Sequence, residues 1–410
     1  MHQSMQEEEG MDFKLTKEQQ DLREQFEAFF REEMKNAPTC YEIHSGLEAM
    51  YDTDEGFAFH RYMQEKLAVK GWLTMAWPKA YGGREAPIIE QAIFNEARSY
   101  YRAPGVDAFG LGMFAPTLML FASEAQKQRL LPPIAQGEVN YCQGWSEPNA
   151  GSDLASLKTT AIKDGDHYII NGQKTWTSAA HRADRMFLLG RTDPSQKRNA
   201  GLSVFNIEMN TPGIEIRPIK YMNGAHFYNE VFFTDVRIHR DELIGAENDG
   251  WKLTRATMNF ERSGSGAYAG LTRAFEELLD YVKTTKRDGR PLSESPIVRQ
   301  KLARLYADIK SGWAFSYRIA WLQEKGKMAF TPAAASEAKV FSTELRQRMV
   351  NFATEIMGPY GQLEYSKWAP LNGTMVEGYQ AVIGTTIFAG SNEIQRNIIA
   401  WAGLGLPRFK

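Results

Sequence analysis

Apolar positions recur at helical spacing through about the first 140 residues, alternate at strand spacing for roughly the next hundred, and return to helical spacing to the end. The first helix is predicted from Leu15 onward. Thr16 and Gln19 have the spacing of a capping box, and Leu22, Phe26, Phe29 and Phe30 share one face. Further helical segments fit 56–70, 87–102, 106–122 and 124–136, with a break at Trp77-Pro78 and Tyr81-Gly82-Gly83. Gly110–Ala115 reads GLGMFA and superficially matches a dinucleotide fingerprint. No strand precedes it and no acidic residue is suitably placed, so that reading is set aside.

After Tyr141 the period changes. His167–Thr177 predicts strand, Asn171-Gly172 turn, strand. Met186–Arg191, Leu202–Ile207, Ile214–Arg217 and Glu230–Ile238 also read as strands, with Pro218 ending the third of these. Closely spaced strands without intervening helices indicate a small β-barrel or sandwich, ending near Gly245. From Asp249 one long helix is expected from about Gly250 to Lys286. A second begins at Pro296 and carries Leu302, Leu305, Ile309, Trp313 and Ile319. A third opens at Pro332 and closes at Gly358-Pro359, and a last runs from near Ser391 to Gly403. The expected organisation is a disordered extension over 1–10, a helical domain over 11–140, a β-barrel domain over 141–246 and a helical bundle over 247–410.

Composition narrows the function classes. The 410-residue chain has a formal net charge of -2, which gives no electrostatic case for nucleic acid or an anionic membrane. Its two cysteines, Cys40 and Cys142, fit a reducing compartment rather than a disulfide framework. Neither Cys nor His residues show metal-ligand spacing, so no metal is expected. The acidic start, MHQSMQEEEGMDF, reads as neither signal nor transit peptide, and Met11 is an alternative start. A cytoplasmic location follows as an expectation. The apolar stretch Ala108–Ala122 is too short and too interrupted to span a bilayer.

The most informative stretch runs from Tyr141 to Ser178. Its loop, Ser146–Asp153, offers backbone N–H groups and small hydroxyls that can approach a planar polar ring. The strands after it deliver Trp176, a flat aromatic face flanked by hydroxyls. A flavin between the two is the working reading.

SEPNAGSD, NGQKTWTS, NFER and FAGSNEIQRNIIA, in that order and across those three regions, resemble the acyl-CoA dehydrogenases. The resemblance covers nearly the whole chain from Phe13. It implies an N-terminal helical domain, a middle β-barrel and a C-terminal four-helix bundle, an α+β multidomain fold. It also implies bound FAD and oxidation of acyl-CoA thioesters to 2-enoyl-CoA. By the same resemblance Gln143, Trp145, Ser146, Gly151, Ser152, Trp176 and Ser178 surround the isoalloxazine, Ser146 at its pyrimidine edge and Ser178 toward N5. Ser391 and Glu393 match the segment that holds the phosphates and ribose region. Arg287, with Glu355 and Gly358, matches contacts to the FAD of a neighbouring subunit. The local sequence Arg287-Asp-Gly-Arg290-Pro-Leu departs from the family's R-x-x-F-G pattern, which leaves open whether Arg287 or Arg290 reaches the pyrophosphate. Pyrophosphate suits a guanidinium and a helix N-terminus.

The chemistry needs a base for the α-proton, an oxyanion site at the thioester carbonyl, and flavin N5 to accept the β-hydride. Most of the family carries the base as Glu in a Y-E-G-T segment. Here that segment reads Phe388-Ala389-Gly390-Ser391. A smaller group, resembling isovaleryl-CoA and long-chain acyl-CoA dehydrogenases, places the glutamate in an E-R dipeptide on the first long C-terminal helix, where this chain has Asn259-Phe260-Glu261-Arg262. Glu261 is therefore the expected base. The Ala389 backbone N–H is the expected oxyanion donor together with the flavin ribityl hydroxyl, and Ser152, Asn259, Arg262 and Gly390 are the expected substrate contacts. Shrinking Glu to Ala389 leaves room for branched, cyclic or long acyl chains. The resemblance implies an electron-transfer flavoprotein as acceptor and a homo-oligomer, usually a tetramer, with a heteromer left open. The alternatives are a non-catalytic partner subunit of a heteromeric dehydrogenase and an oxygen-using acyl-CoA oxidase.

Overall fold

The computed structural model describes residues 14–43, 48–260, 265–326 and 333–408. Helix α1 (Lys17–Glu33) starts at a complete capping box, Thr16 with Gln19. The box satisfies two of the N–H groups a helix start leaves open. Phe26 and Phe30 of its inner face are fully buried. Phe26 meets Trp72 and Phe94 edge-on at 4.7 and 5.2 Å. Each such ring stabilises by roughly 1.5–3 kcal/mol through burial. Short helices α2 (Cys40–Ile43) and α3 (Glu48–Tyr51) lead to α4 (Asp54–Val69), α5 (Ile88–Tyr100), α6 (Ala115–Phe121) and α7 (Glu124–Ala135).

The GLGMFA stretch is a π-helical turn, Gly110–Phe114, rather than a phosphate loop. The buried Asp107 carboxylate accepts from the N–H groups of Phe109, Gly110 and Tyr141 at 3.0, 3.0 and 2.9 Å. A Cβ at Gly110 would lie 2.4 Å from that carboxylate, so this glycine is needed for close packing.

The middle region is one eight-stranded sheet: β1 (Tyr141–Gly144), β2 (Thr160–Asp164), β3 (His167–Lys174), β4 (Arg185–Arg191), β5 (Leu202–Glu208), β6 (Ile214–Lys220), β7 (His226–His239) and β8 (Leu243–Ile244). The hydrogen-bonded order is β6-β7-β3-β2-β4-β5-β8, with β1 parallel to β4. That path does not return from β8 to β6 among the described residues, so the expected barrel is an open one.

Two local expectations differ from the structure. Asn171-Gly172 is not a turn: β3 continues through it, with a register shift against β7 between Ile170 and Gly172. The tight turn instead lies one strand earlier, at Gly165-Asp166, where Asp164 pairs with His167 and Gly165 has φ 59°. Both sites combine a glycine with an acidic or amide neighbour, so turn chemistry alone does not separate them. Pro218 also does not end its strand. It pairs with Asn229 in β6, an edge strand, where a missing N–H can face outward.

The C-terminal region packs α9 (Ser265–Thr284), α10 (Pro296–Glu324), α11 (Ala334–Met357) and α12 (Thr374–Thr385) around Leu278, Val282, Ile309 and Leu345. The expected single helix from Gly250 is described as α8 (Gly250–Phe260) and α9, with 261–264 between them outside the described residues. Helix α12 had no counterpart in the sequence reading. The last helix, α13 (Asn392–Ile398), passes into a π turn, Ile399–Gly403. The helical ends are tied to each other: Arg23 of α1 and Tyr317 of α10 both reach the buried Glu96 of α5, at 3.2 and 3.0 Å. Between α9 and α10 lies a hairpin of two-residue strands, β9 (Lys286–Arg287) and β10 (Arg290–Pro291).

Candidate functional site

The Ser146–Asp153 loop is held shut by its own backbone and bolted to the sheet. Glu147 and Ala150 exchange N–H···O bonds at 3.1 and 3.0 Å, and the Thr175 N–H donates to the Ser146 carbonyl at 2.9 Å. Beneath it lies a buried ion pair. Lys174 Nζ reaches Glu147 Oε1 at 2.9 Å and the Trp145 carbonyl at 3.1 Å. Glu147 also accepts from the N–H groups of Lys158 and Thr159 at 2.6 and 2.8 Å. Burial pushes the Lys174 ammonium down to about 8 against the pull of Glu147. Burial likewise works to raise the Glu147 carboxyl, but the Lys174 charge and these donors outweigh it and hold it below its ordinary value. The loop top is open: Gly151 and Ser152 are exposed, and a Cβ at Gly151 would meet nothing within 4 Å among the described residues.

Trp176 follows Lys174 and Thr175 out of β3. It is 58% exposed and has φ 57°, a backbone conformation unusual for a bulky residue. Tyr228 supports its ring edge-on at 5.7 Å. Thr177 is buried, and its Oγ1 has no hydrogen-bond partner among the described residues. Ser178 is half-buried beside it. Trp145 is different. Its ring packs edge-on to Phe187 at 5.3 Å within the core, and its buried Nε1 is unpartnered among the described residues. Gln143 is half-buried on β1, within 4.0 Å of the Met113 sulfur in the π turn.

The 388–391 segment approaches this wall through tyrosines. Tyr228 stacks edge-on with Tyr221 at 4.9 Å and bonds it through the hydroxyls at 2.8 Å. A Cβ built at Gly384, in the last turn of α12, would lie 3.9 Å from Tyr221 and 3.6 Å from Phe388. Ala389 then has φ 52° and Gly390 φ 81°. The Ala389 N–H has no acceptor among the described residues. The Gly390 carbonyl is fixed by Lys339 Nζ at 2.9 Å. Ser391 caps α13 by accepting from the Ile394 N–H at 3.4 Å, and Glu393 stands in its first turn.

Arg287, Glu355 and Gly358 form a separate cluster at the C-terminal ends of α9 and α11. Arg287 Nη2 donates to the Ile356 carbonyl at 2.6 Å. A Cβ at Gly358 would come 3.8 Å from that nitrogen. Glu355 pairs with Lys301 at 2.8 Å. Arg290 is exposed opposite Arg287 across the hairpin, whose turn residues Asp288 and Gly289 have φ 52° and 77°. Glu261 and Arg262 lie outside the described residues. Asn259 lies in the last turn of α8, with its side chain outside them too. Helix α8 itself is registered against α6 by a Thr117–Thr257 hydroxyl contact of 2.7 Å.

Sequence reasoning did not find Lys174–Glu147, the tyrosine pair, or Asn229, which both accepts from the Thr177 N–H at 2.9 Å through its carbonyl and donates to the Thr177 carbonyl at 3.1 Å through its side chain. An inward-facing lysine next to the TWTS run was the available signal.

A helical domain, an open sheet with a loop-and-tryptophan wall, and a helical bundle together define a three-domain architecture of known type. Models of the acyl-CoA dehydrogenase N-terminal, middle and C-terminal domains match residues 16–138, 142–236 and 248–404. The chain belongs to the acyl-CoA dehydrogenase family, a family of flavin-dependent oxidoreductases. It is 36% identical to acyl-CoA dehydrogenase IpdE1 of Mycobacterium tuberculosis over 86% of this chain and 90% of that protein. It is 34% identical to acyl-CoA dehydrogenase FadE26 of the same organism over 97% of this chain and 99% of that one. Among solved structures it resembles a steroid ACAD, Tcur3481-Tcur3483, at TM-score 0.88 and 30% identity, over 97% of this chain and 100% of that one. The ChsE4-ChsE5 complex from Mycobacterium tuberculosis matches at TM-score 0.85 and 33% identity, over the same shares. No helix among the described residues is long and apolar enough to cross a membrane.

Proposed function

We propose that this chain binds FAD and catalyses α,β-dehydrogenation of an acyl-CoA thioester to the 2-enoyl-CoA, with Glu261 as the base. The main support is the wall at 145–178. An exposed Trp176 in a left-handed backbone stands beside a buried Thr177 hydroxyl, unpartnered among the described residues, and an open Gly151-Ser152 loop. Such orphaned polar groups and open glycine backbone suit a polar planar ring, so the residues present fit a flavin.

Bound FAD would supply the two-electron acceptor for the reaction. Trp176, Ser146, Gly151, Ser152 and Ser178 would hold its ring system, and Ser391 and Glu393 its phosphate and ribose region. Glu355, Gly358 and an arginine of the 287–290 loop would meet the FAD of a neighbouring subunit. The 2.6 Å bond to Ile356 favours Arg287 as the residue that braces the loop and leaves the exposed Arg290 to reach outward. Glu261 follows directly on α8, whose end is fixed through Thr257. Its carboxylate would take the α-proton, and water exclusion by the acyl chain would raise its pKa toward that of a useful base. The Ala389 N–H, with no acceptor of its own among the described residues, would donate to the thioester oxygen as negative charge develops there. Replacing the family's glutamate by alanine keeps that donor.

The relatives described as a steroid ACAD and as a two-component complex favour a ring-bearing acyl group and a heteromeric assembly. An electron-transfer flavoprotein is the proposed acceptor, and the cytoplasm the proposed location. Anaerobic mixing of the FAD-loaded protein with a panel of straight, branched and ring-bearing acyl-CoAs tests both class and substrate. Loss of the yellow flavin colour with a bulky thioester supports the reading. No loss with any member, with the chain alone or with its partner subunit, refutes it.

A further inference from the structure

Behind the Trp176 turn lies a closed polar relay. Asn229 of β7 is fully buried. Its amide nitrogen donates to the Thr177 carbonyl at 3.1 Å, lies 3.2 Å from His181 Nδ1 and 3.4 Å from the Phe227 carbonyl. Its amide oxygen lies 2.8 Å from His226 Nε2. The two imidazoles stack face to face, with centroids 3.8 Å apart and planes 19° from parallel. His181 Nε2 lies 2.9 Å from the Tyr51 carbonyl, and the His226 backbone N–H donates to Asp52 at 2.7 Å.

One protonation pattern satisfies the shorter contacts, the two amide protons of Asn229 going to Thr177 and His181 and leaving none for the 3.4 Å approach to Phe227. The Thr177 carbonyl can only accept, so the Asn229 nitrogen must face it. That nitrogen also faces His181 Nδ1, which must then be an acceptor, leaving the His181 proton on Nε2 to meet Tyr51. The Asn229 oxygen needs a donor, which is the Nε2–H of His226. Turning the amide over would set oxygen against the Thr177 carbonyl and nitrogen against His226. Burial pushes the His181 imidazole down to about 4, in keeping with a neutral ring in this arrangement.

We infer that Asn229 is a positioning residue that clamps the Thr177 peptide from both sides, and that His226 and His181 fix the orientation of its amide and so hold the Trp176–Ser178 turn in its left-handed shape. Thr177 is gripped at N–H and carbonyl by one residue, so neither neighbouring peptide can rotate without breaking a buried bond. The relay ends on Tyr51 and Asp52, so the turn takes its orientation partly from the N-terminal domain. This rests on the reading of Trp176 and Ser178 as flavin-facing, but the clamp itself can be measured without flavin.

The test compares Asn229→Asp, Asn229→Ala, His226→Gln and His226→Leu in the full chain. Gln can present a donor where His226 Nε2 stands, and Leu cannot. Amide exchange of residues 175–180 is followed by mass spectrometry in flavin-free protein, and FAD affinity by titration. Asn229→Asp, Asn229→Ala and His226→Leu should speed exchange in that segment about tenfold or more, the loss expected for one buried hydrogen bond, and weaken FAD by a similar factor. His226→Gln should stay near wild type in both. Wild-type exchange at 175–180 in His226→Leu, or equal impairment of His226→Gln and His226→Leu, overturns the clamp, and this pair decides should the Asn229 variants fail to fold. If wild-type protein takes no FAD, the flavin reading fails, while the exchange measurement still decides the clamp.

Discussion

Replacing Lys174 with methionine isolates the ion pair beneath the 146–153 loop. Lys174 is fully buried and Glu147 is 8% exposed, so the substitution leaves a carboxylate out of water with the Lys158 and Thr159 N–H groups as its remaining donors among the described residues. Removing one partner of a buried pair costs roughly 3–5 kcal/mol, because the remaining charge is uncompensated. Replacing both partners with neutral groups removes that penalty. The double variant Lys174→Met/Glu147→Gln should therefore recover at least about 2 kcal/mol of the loss in Lys174→Met. The glutamine introduced by Glu147→Gln keeps an oxygen for the two N–H donors, although its amide nitrogen then needs a place. Urea unfolding followed by tryptophan fluorescence reads the stability, and flavin retention on a desalting column reads the site. Lys174→Met should lose stability and flavin together, since the pair also fixes the Trp145 carbonyl and the strand that leads to Trp176. A loss below about 1 kcal/mol, or single costs that add in the double variant to within about 0.5 kcal/mol, would refute the reasoning.

His60 is fully buried, and burial pushes its imidazole down to about 4. A depressed folded pKa means the unfolded chain binds the proton first, so this contribution is intact above the unfolded value near 6.5 and is lost as pH falls toward 4. Between pH 7 and pH 5 it amounts to about 2 kcal/mol. Asp107, raised by burial to about 7, acts with the opposite sign over the same window, because its folded form takes up the proton more readily. Wild-type stability should therefore change little from these two groups, while His60→Gln, measured by urea midpoint at both pH values, should gain on wild type at pH 5 relative to pH 7. An unchanged difference would contradict the assignment. Gly312 sits under Tyr268, where a Cβ would fall 1.9 Å from the ring. Gly312→Ala should lower stability by about 2 kcal/mol or more, checked by thermal unfolding, and Gly312→Ala/Tyr268→Leu should regain part of it.

Much of this arrangement was legible in the chain. The capping box at Thr16, the switch to alternation after Tyr141 and the long apolar stripe beyond Pro296 are local patterns, and local patterns survive folding. What escaped depends on partners far apart in sequence. Asn171-Gly172 has turn chemistry, but β7 runs alongside it as a strand and takes up the one-residue register shift with Thr234 and Asp235 opposite Asn171. Pro218 breaks a strand only if its missing N–H is needed, and an edge position removes the need. The wall itself was visible as SEPNAGSD and TWTS. The groups that hold it were not, because Lys174 meets Glu147 across 27 residues and Asn229 meets Thr177 across 52. Trp145, expected at the flavin, packs its ring against Phe187 in the core, and its Nε1 is unpartnered among the described residues.

Glu261 as the base carries the proposed chemistry, and one comparison decides it. FAD-loaded wild type and Glu261→Gln are mixed anaerobically with the acyl-CoA that decolourises wild type most strongly, and the visible flavin absorbance is followed with time. General-base removal of this kind contributes roughly 10²–10⁴-fold. The variant should retain FAD and still bind the thioester, seen as a shift of the flavin band, but decolourise at least about a hundredfold more slowly. Decolourisation of the variant at the wild-type rate would contradict it.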